Sequence, residues 1–297
     1  MIPGTLLDGR YRVLQRLGRG GQADIFVARD EHRRQNVAIK SQFPRTFEST
    51  TEYASLAFPL EEELDRLKFM ATVPGIPKVL GHGHYGRSGC RYIVMELIEG
   101  STVSSWIRDH EPVQSAEAVS VIGQLCEILT RLHAKGYVHR DVTPNNTMVQ
   151  PDGRVRLLDV GISVTAGEVN TYPGGSPGYA APEQYDRSAS LTPQVDVFAL
   201  GAMLFAMTVS ELPYTSLEHP LDHAAPAFPE DFSAEMHEPL RTLGLAMVSI
   251  DPRERPNGVA EVLRSVRPML PVLGAPASPK ASRPDPTTPY RLGFSVP

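Results

Sequence analysis

The chain has 297 residues, 41% of them hydrophobic and 21% charged, with a formal net charge of -5; this is ordinary globular composition, long enough for a substantial core in one large or two small domains. So weak an acidic balance gives no broad attraction for nucleic acid or anionic lipid, and neither a nucleic acid nor a membrane is expected as a partner. The two cysteines, Cys90 and Cys126, lie far apart with no Cys-x-x-Cys or Cys/His ligand spacing, which argues against a disulfide framework or a zinc site and for reduced, buried thiols.

In chain order, Tyr11 to Leu17 and Ala23 to Ala28 read as strands joined by Gly18-Arg19-Gly20-Gly21-Gln22. Such a glycine turn lets backbone N–H groups approach phosphates, because no side chain blocks them. Val37 to Lys40 reads as a third strand, Ser41 to Tyr53 as a Ser/Thr-rich loop, and Leu56 to Met70 as a helix with Leu60, Leu64, Leu67 and Ala71 at helical spacing. Two further strands follow Pro74, the second ending in Tyr92-Ile93-Val94-Met95-Glu96-Leu97-Ile98-Glu99-Gly100. Beyond it the period changes from two to about 3.6 residues, predicting helices over Thr102 to Arg108 and Ala116 to Lys135. Lys135-Gly136 is a common helix stop, a basic last turn followed by glycine.

The loop Tyr137 to Val149 sets Asp141 five residues ahead of Asn146 between apolar flanks, a spacing that suits a general base beside a metal ligand. Val155 to Leu158 reads as a strand delivering Asp159-Val160-Gly161, where an acid followed by glycine suits a metal ligand that must approach phosphates. His139 reads as a packed histidine rather than a base. Val195 to Val209, interrupted by Asp196, is too short to span a bilayer comfortably and reads as a buried helix. No early segment has a basic start, an apolar run and a small-residue cleavage site. A cytoplasmic location is expected. After Arg267 the composition turns to Pro, Ala and Ser, predicting a disordered or extended tail over 268–297.

Taken together from about Leu17 to Pro256, these motifs closely resemble those of Ser/Thr protein kinases of the eukaryotic-like, Hanks-type family, and the double glycine Gly20-Gly21 resembles bacterial members. The resemblance implies a bilobal α+β fold: a small β-rich lobe over residues 1–95 with one long helix, a hinge at 96–100 and a larger, mainly helical lobe over 101–267. It implies ATP and Mg²⁺, protein substrates, and self-association for autophosphorylation. By the same resemblance Asp141 is the catalytic base, Lys40 pairs with phosphates and with Glu63, and Asn146 and Asp159 hold metal. Glu61 and Glu62 compete with Glu63 for the lysine; the placing of Leu67 and Met70 favours Glu63. Gly18, Gly20, Gly21, Ile25, Ala38, Lys40, Met95, Glu96, Ile98 and Met148 would contact the nucleotide, with Met95 guarding its rear pocket.

Later segments extend the likeness. Ser176, ahead of Ala181-Pro182-Glu183, would bridge to the catalytic aspartate, Asp196 would organise the loop backbone, and Arg255 of Asp251 to Pro256 would pair with Glu183. Three departures stand out: Ala23 for a third glycine, Val160 for phenylalanine, and Thr143 where the family carries a lysine that touches the transferred phosphate. They keep open a rival reading as a nucleotide-binding or scaffolding pseudokinase. A small-molecule phosphotransferase is disfavoured by the segments at 181–183 and 251–256.

Overall fold

A computed structural model describes residues 1–19, 23–43, 60–86, 89–111, 113–214, 226 and 236–294. The chain divides into two units, one of residues 1–72 and 77–98, the other of 73–76 and 99–297.

Alternation of side chains builds the first unit. Strands β1 (Leu6–Leu7), β2 (Tyr11–Arg19), β3 (Ala23–Asp30), β4 (Gln35–Gln42), β5 (Val79–Tyr85) and β6 (Cys90–Glu96) pair antiparallel in the order β1-β2-β3-β4-β6-β5. Period two sends Tyr11, Val13, Phe26, Ala28, Val37, Ile39, Tyr92 and Val94 into one core. Their sequence neighbours Ile25, Ala38, Lys40 and Met95 fall on the opposite face. Ser41 and Gln42, expected in a loop, continue β4, since Ser41 lies opposite Tyr92 of β6 and its hydroxyl donates to Tyr85. Helix α1 (Leu60–Phe69) turns Leu60, Glu63, Leu64 and Leu67 inward at 3–4-residue spacing; residues 56–59 of the expected helix lie outside the described residues.

The second unit is built on helices α2 (Val103–Asp109), α3 (Ser115–Ala134), α4 (Gln194–Thr208), α5 (Glu238–Met247), α6 (Val259–Val266) and α7 (Thr288–Leu292). Helix α3 starts with a capping box, the Glu117 carboxylate reaching back to the Gln114 N–H, and stops where Gly136 takes φ 81°. From Val195 to Phe205, α4 is almost wholly buried and apolar, as a core helix must be. Both cysteines are buried. Among the described residues, no helix is long and apolar enough to cross a membrane.

Short strands set out the loops that matter. β7 (Ser101–Thr102), β9 (Thr147–Val149) and β10 (Val155–Leu157) form one small sheet, and β8 (Tyr137–Val138) pairs with β11 (Val164–Thr165). Residues 139–146 therefore run from β8 to β9, and Asp159 follows two residues after β10.

The Pro-rich stretch expected as a disordered or extended tail runs, over most of its described length, as irregular backbone. Residues 278–290 lie against α2 and α3, where side chains from Trp106 to Gln124 read the tail's backbone. Trp106 Nε1 donates to the Pro284 carbonyl (3.0 Å), Gln114 Nε2 to that of Lys280 (2.6 Å) and Gln124 Nε2 to that of Pro286 (3.0 Å). The Ser282 N–H donates to the Glu117 carboxylate at 2.7 Å. Proline rings lack donors, so a few side chains satisfy the backbone polar groups of this stretch. Packing is close enough to require two glycines: a Cβ on Gly123 would lie 2.6 Å from the Tyr290 hydroxyl, and one on Gly153 2.1 Å from the Asp285 carbonyl.

Candidate active site

In the first unit, Lys40 points from β4 to Glu63 on α1, Nζ to carboxylate 2.7 Å, with both side chains largely buried. The other two acids have their own partners, Glu62 with Arg66 and Glu61 with Arg91. The helix surface explains this: Glu63 shares the inward stripe with Leu60, Leu64 and Leu67, while Glu61 and Glu62 face outward. Strand register gathers further expected residues around Lys40, with Ile25 opposite it and Ala38 opposite Met95. The Glu96 N–H donates to the Lys78 carbonyl at 2.9 Å, and Ile98 is buried. Gly18 sits on β2 opposite Ile25, and a Cβ there would meet nothing within 4 Å among the described residues. Gly20 and Gly21 lie outside the described residues.

In the second unit the loop 139–146 is held from behind by one carboxylate. Asp196 near the start of α4, fully buried, accepts the Arg140 N–H (2.8 Å) on Oδ1 and the His139 N–H (2.9 Å) on Oδ2, with His133 Nε2 also 2.8 Å from Oδ2. Burial alone would raise its pKa; the His133 hydrogen bond, the neighbouring imidazoles and the His139 N–H outweigh that, and the net direction is down. His133 offers no motif in the sequence, and only its place in the last turn of α3, beside the helix entering the loop, hints at it.

The loop backbone is forced where the chemistry lies. Arg140 (φ 71°) and Asp159 (φ 37°) are non-glycine residues in left-handed geometry, a strained arrangement that the surrounding bonds must maintain. His139 Nδ1 accepts the Asp141 N–H (3.2 Å), which leaves Nε2 as the donor to the Leu158 carbonyl (3.1 Å). Both ring nitrogens are thus engaged in holding the loop.

Asp141 then presents a carboxylate with two partners. Oδ1 accepts the Ser176 hydroxyl at 2.6 Å, and Oδ2 accepts the Asn146 amide at 2.5 Å. Burial raises its pKa first; the Ser176 and Asn146 hydrogen bonds oppose, and the Asp159 charge adds to the rise. With its N–H₂ turned to Asp141, Asn146 has its amide oxygen directed the other way. Its carbonyl accepts the Leu158 N–H at 2.7 Å, so the strand end carrying Asp159 is bonded to the residue carrying the amide. One Asp159 oxygen accepts the Gly161 N–H at 2.9 Å.

Thr143, which stands where the family carries a lysine, is turned toward the loop's own backbone. It is buried, and its hydroxyl accepts the Asn146 N–H at 3.2 Å; the β-branched alcohol caps the turn that carries Asn146. Met148 lies on β9 opposite Thr102 and Arg156. Farther along, Arg255, its side chain fully buried, grips Glu183 through two nitrogens at 2.6 and 2.9 Å, the forked geometry that a guanidinium makes with a carboxylate.

Comparison with known proteins places these residues in context. Residues 11–266 match the family described as protein kinase domain. The chain is 27% identical over 274 residues to the probable serine/threonine-protein kinase PknB of Lactococcus lactis, covering 89% of this chain and 42% of that protein. It is 30% identical over 228 residues to the serine/threonine-protein kinase PrkC of Bacillus subtilis, covering 72% of this chain and 32% of PrkC. The DNA damage-responsive serine/threonine-protein kinase RqkA of Deinococcus radiodurans is 29% identical over 228 residues, with the same shares. The chain thus spans less than half the length of these relatives.

Proposed function

The chain belongs to the protein kinase family, and from that premise we propose that it transfers the γ-phosphoryl group of ATP to serine or threonine hydroxyls of proteins, its own included, in the cytoplasm. The observation that carries this reading is the Asp141 carboxylate, held between the Ser176 hydroxyl and the Asn146 amide. A hydroxyl already sits where an acceptor hydroxyl would be oriented. Asp141 takes the acceptor's proton as its oxygen bonds to phosphorus and ADP leaves. Raised by burial, the carboxyl is a better base than an exposed aspartate.

The donor set fits Mg²⁺. Asn146 and Asp159 offer oxygen only, and Mg²⁺ takes one or two protein oxygens together with phosphates and water; among the described residues no group of three His, Cys, Asp or Glu forms an all-protein metal cage. When bound, Mg²⁺ neutralises phosphate charge. Lys40, oriented by Glu63, supplies a fixed cation to the phosphates, and Gly18, which no neighbouring atom among the described residues requires to be glycine, leaves backbone open to them. Ile25, Ala38, Met95 and Met148 supply apolar contacts to adenine, and Glu96 and Ile98 supply backbone groups to its edge. Thr143 acts through Asn146.

The test is incubation with labelled ATP, Mg²⁺ and a generic basic protein, followed by mass spectrometry. Label on Ser or Thr is expected from the wild type and none from Asp141→Asn. Nucleotide binding by the wild type with no transfer would overturn the reading.

A further inference from the structure

Residues 162–176 lie between the strand that delivers Asp159 and the hydroxyl that reaches Asp141. Their backbone pairs with a later stretch: Gly167 N–H donates to the Leu191 carbonyl (2.7 Å), Leu191 N–H to that of Glu168 (2.9 Å) and Asn170 N–H to that of Ala189 (2.9 Å). Along this ribbon Val169 is exposed, whereas Asn170 is 1% exposed. A polar side chain so deeply buried must have its groups satisfied.

They are satisfied on both sides. Asn170 Oδ1 accepts from Arg140 at 3.3 Å, while Nδ2 donates to the carbonyls of Gln184 (2.8 Å), Asp186 (3.0 Å) and, at the limit, Glu183 (3.5 Å). Donor on one side and carbonyls on the other fix which way the amide points. The Arg140 guanidinium also donates to the carbonyls of Tyr172 (2.8 Å) and Gly174 (3.3 Å). Gln184 closes the ring: its Nε2 donates to the Arg140 carbonyl (3.0 Å), and its own carbonyl accepts the Gly174 N–H (2.7 Å). Two residues on, Ser176 meets Asp141.

We propose that Asn170 is a positioning residue for phosphoryl transfer, a neutral latch that fastens residues 170–176 to the catalytic loop with no phosphate on the segment. In phosphorylation switches an added phosphate orders a segment by pairing with arginine. Here the loop arginine is met by amide and peptide dipoles of the segment itself, and a carboxylate at 170 would set its charge against the carbonyls that Asn170 now serves. Thr165 has its N–H bonded to the Glu168 carboxylate at 3.2 Å, so phosphate there would meet a like charge. The kinetic part of the proposal rests on the transfer reading above; the structural part does not.

The experiment has two arms. Hydrogen exchange on phosphatase-treated wild type, shown by mass spectrometry to carry no phosphate on residues 162–176, should find the Asn170 and Gly174 amides protected, and Asn170→Ala should lose about tenfold or more of that protection. This arm needs no catalysis, and the wild-type half needs no variant to fold. In the kinetic arm, phosphate-free wild type keeps its turnover, Thr165→Ala and Thr171→Ala change it only modestly, and Asn170→Ala and Asn170→Asp each lower kcat by about tenfold with KM for ATP little changed. Rapid exchange of the segment in phosphate-free wild type, or protection unchanged in Asn170→Ala, would overturn the latch. Loss of turnover on phosphatase treatment, rescued by rephosphorylation, would do so as well. A wild type that transfers nothing would sink the kinase reading, and the exchange arm would still decide the latch.

Discussion

The catalytic loop and the C-terminal tail are both irregular backbone held by helix side chains, yet they are held differently. The loop enters on one buried carboxylate, Asp196, which accepts two successive backbone N–H groups. The tail is read at many points spread from Trp106 to Gln124. A single ionised hub fixes strained residues within a narrow geometry, and its loss releases all of them together. Distributed bonds, several of them between neutral groups, hold a segment in place and tolerate the loss of any one. Chemistry needs the first arrangement, and anchoring is served by the second.

The contrast is broken most strongly by Asp196→Ala, which leaves the His139 and Arg140 N–H groups buried without their acceptor. It should cost about 3–5 kcal/mol in denaturant unfolding and abolish transfer. Because the Asp196 pKa is depressed in the fold, its stabilising contribution is present above the ordinary carboxylate range and is lost as pH falls through the lowered value. The variant should lack that acid-side loss. Deleting residues 276–297 should cost less, about 2–4 kcal/mol summed over several bonds, and leave turnover unchanged at a temperature where both forms are folded. Turnover lost in a folded truncation would mean that the tail shapes the site.

Gln124→Ala probes a side chain that serves both the tail and the strand leading to Asp159. Besides the tail it donates to the Gly153 carbonyl (3.1 Å) and accepts the Val155 N–H (2.9 Å) of β10. Unfolding should show about 1–3 kcal/mol lost. Smallest in stability is Ser176→Ala, whose effect lies in pH. The Ser176 hydroxyl stabilises the Asp141 carboxylate, so removing it raises that pKa further, and the acidic limb of the kcat/KM profile should move to higher pH with the melting temperature little altered. A limb that stays in place would separate Asp141 from the rate.

The same contrast marks what was legible in the sequence. Strands with period two, the long apolar helices and the loop motifs were readable because each is written in consecutive residues. The Asp196 hub could be inferred from resemblance, but its second partner, His133, lies 63 positions away with no local mark. The tail's seating is not written in its composition, which reports what a segment cannot bury and is silent on what a neighbouring helix offers it. Two signals were present. Gly123 sits mid-helix, where glycine is costly unless something must come close, and the polar Glu117 and Gln124 are buried on the same helix. The hydrogen bond of Thr143 to the Asn146 N–H was not legible either, since a motif position names a residue type and does not tell where its side chain turns.

Trp106 is the chain's one tryptophan, fully buried, with its indole N–H bonded to the tail. Indole emission responds to water and to hydrogen bonding, and no second tryptophan mixes with this signal. The protein therefore carries its own optical reporter of whether the tail is seated. Emission shifted to longer wavelength while the far-ultraviolet circular dichroism is still native would register a peeled tail on a folded domain, without any label being attached.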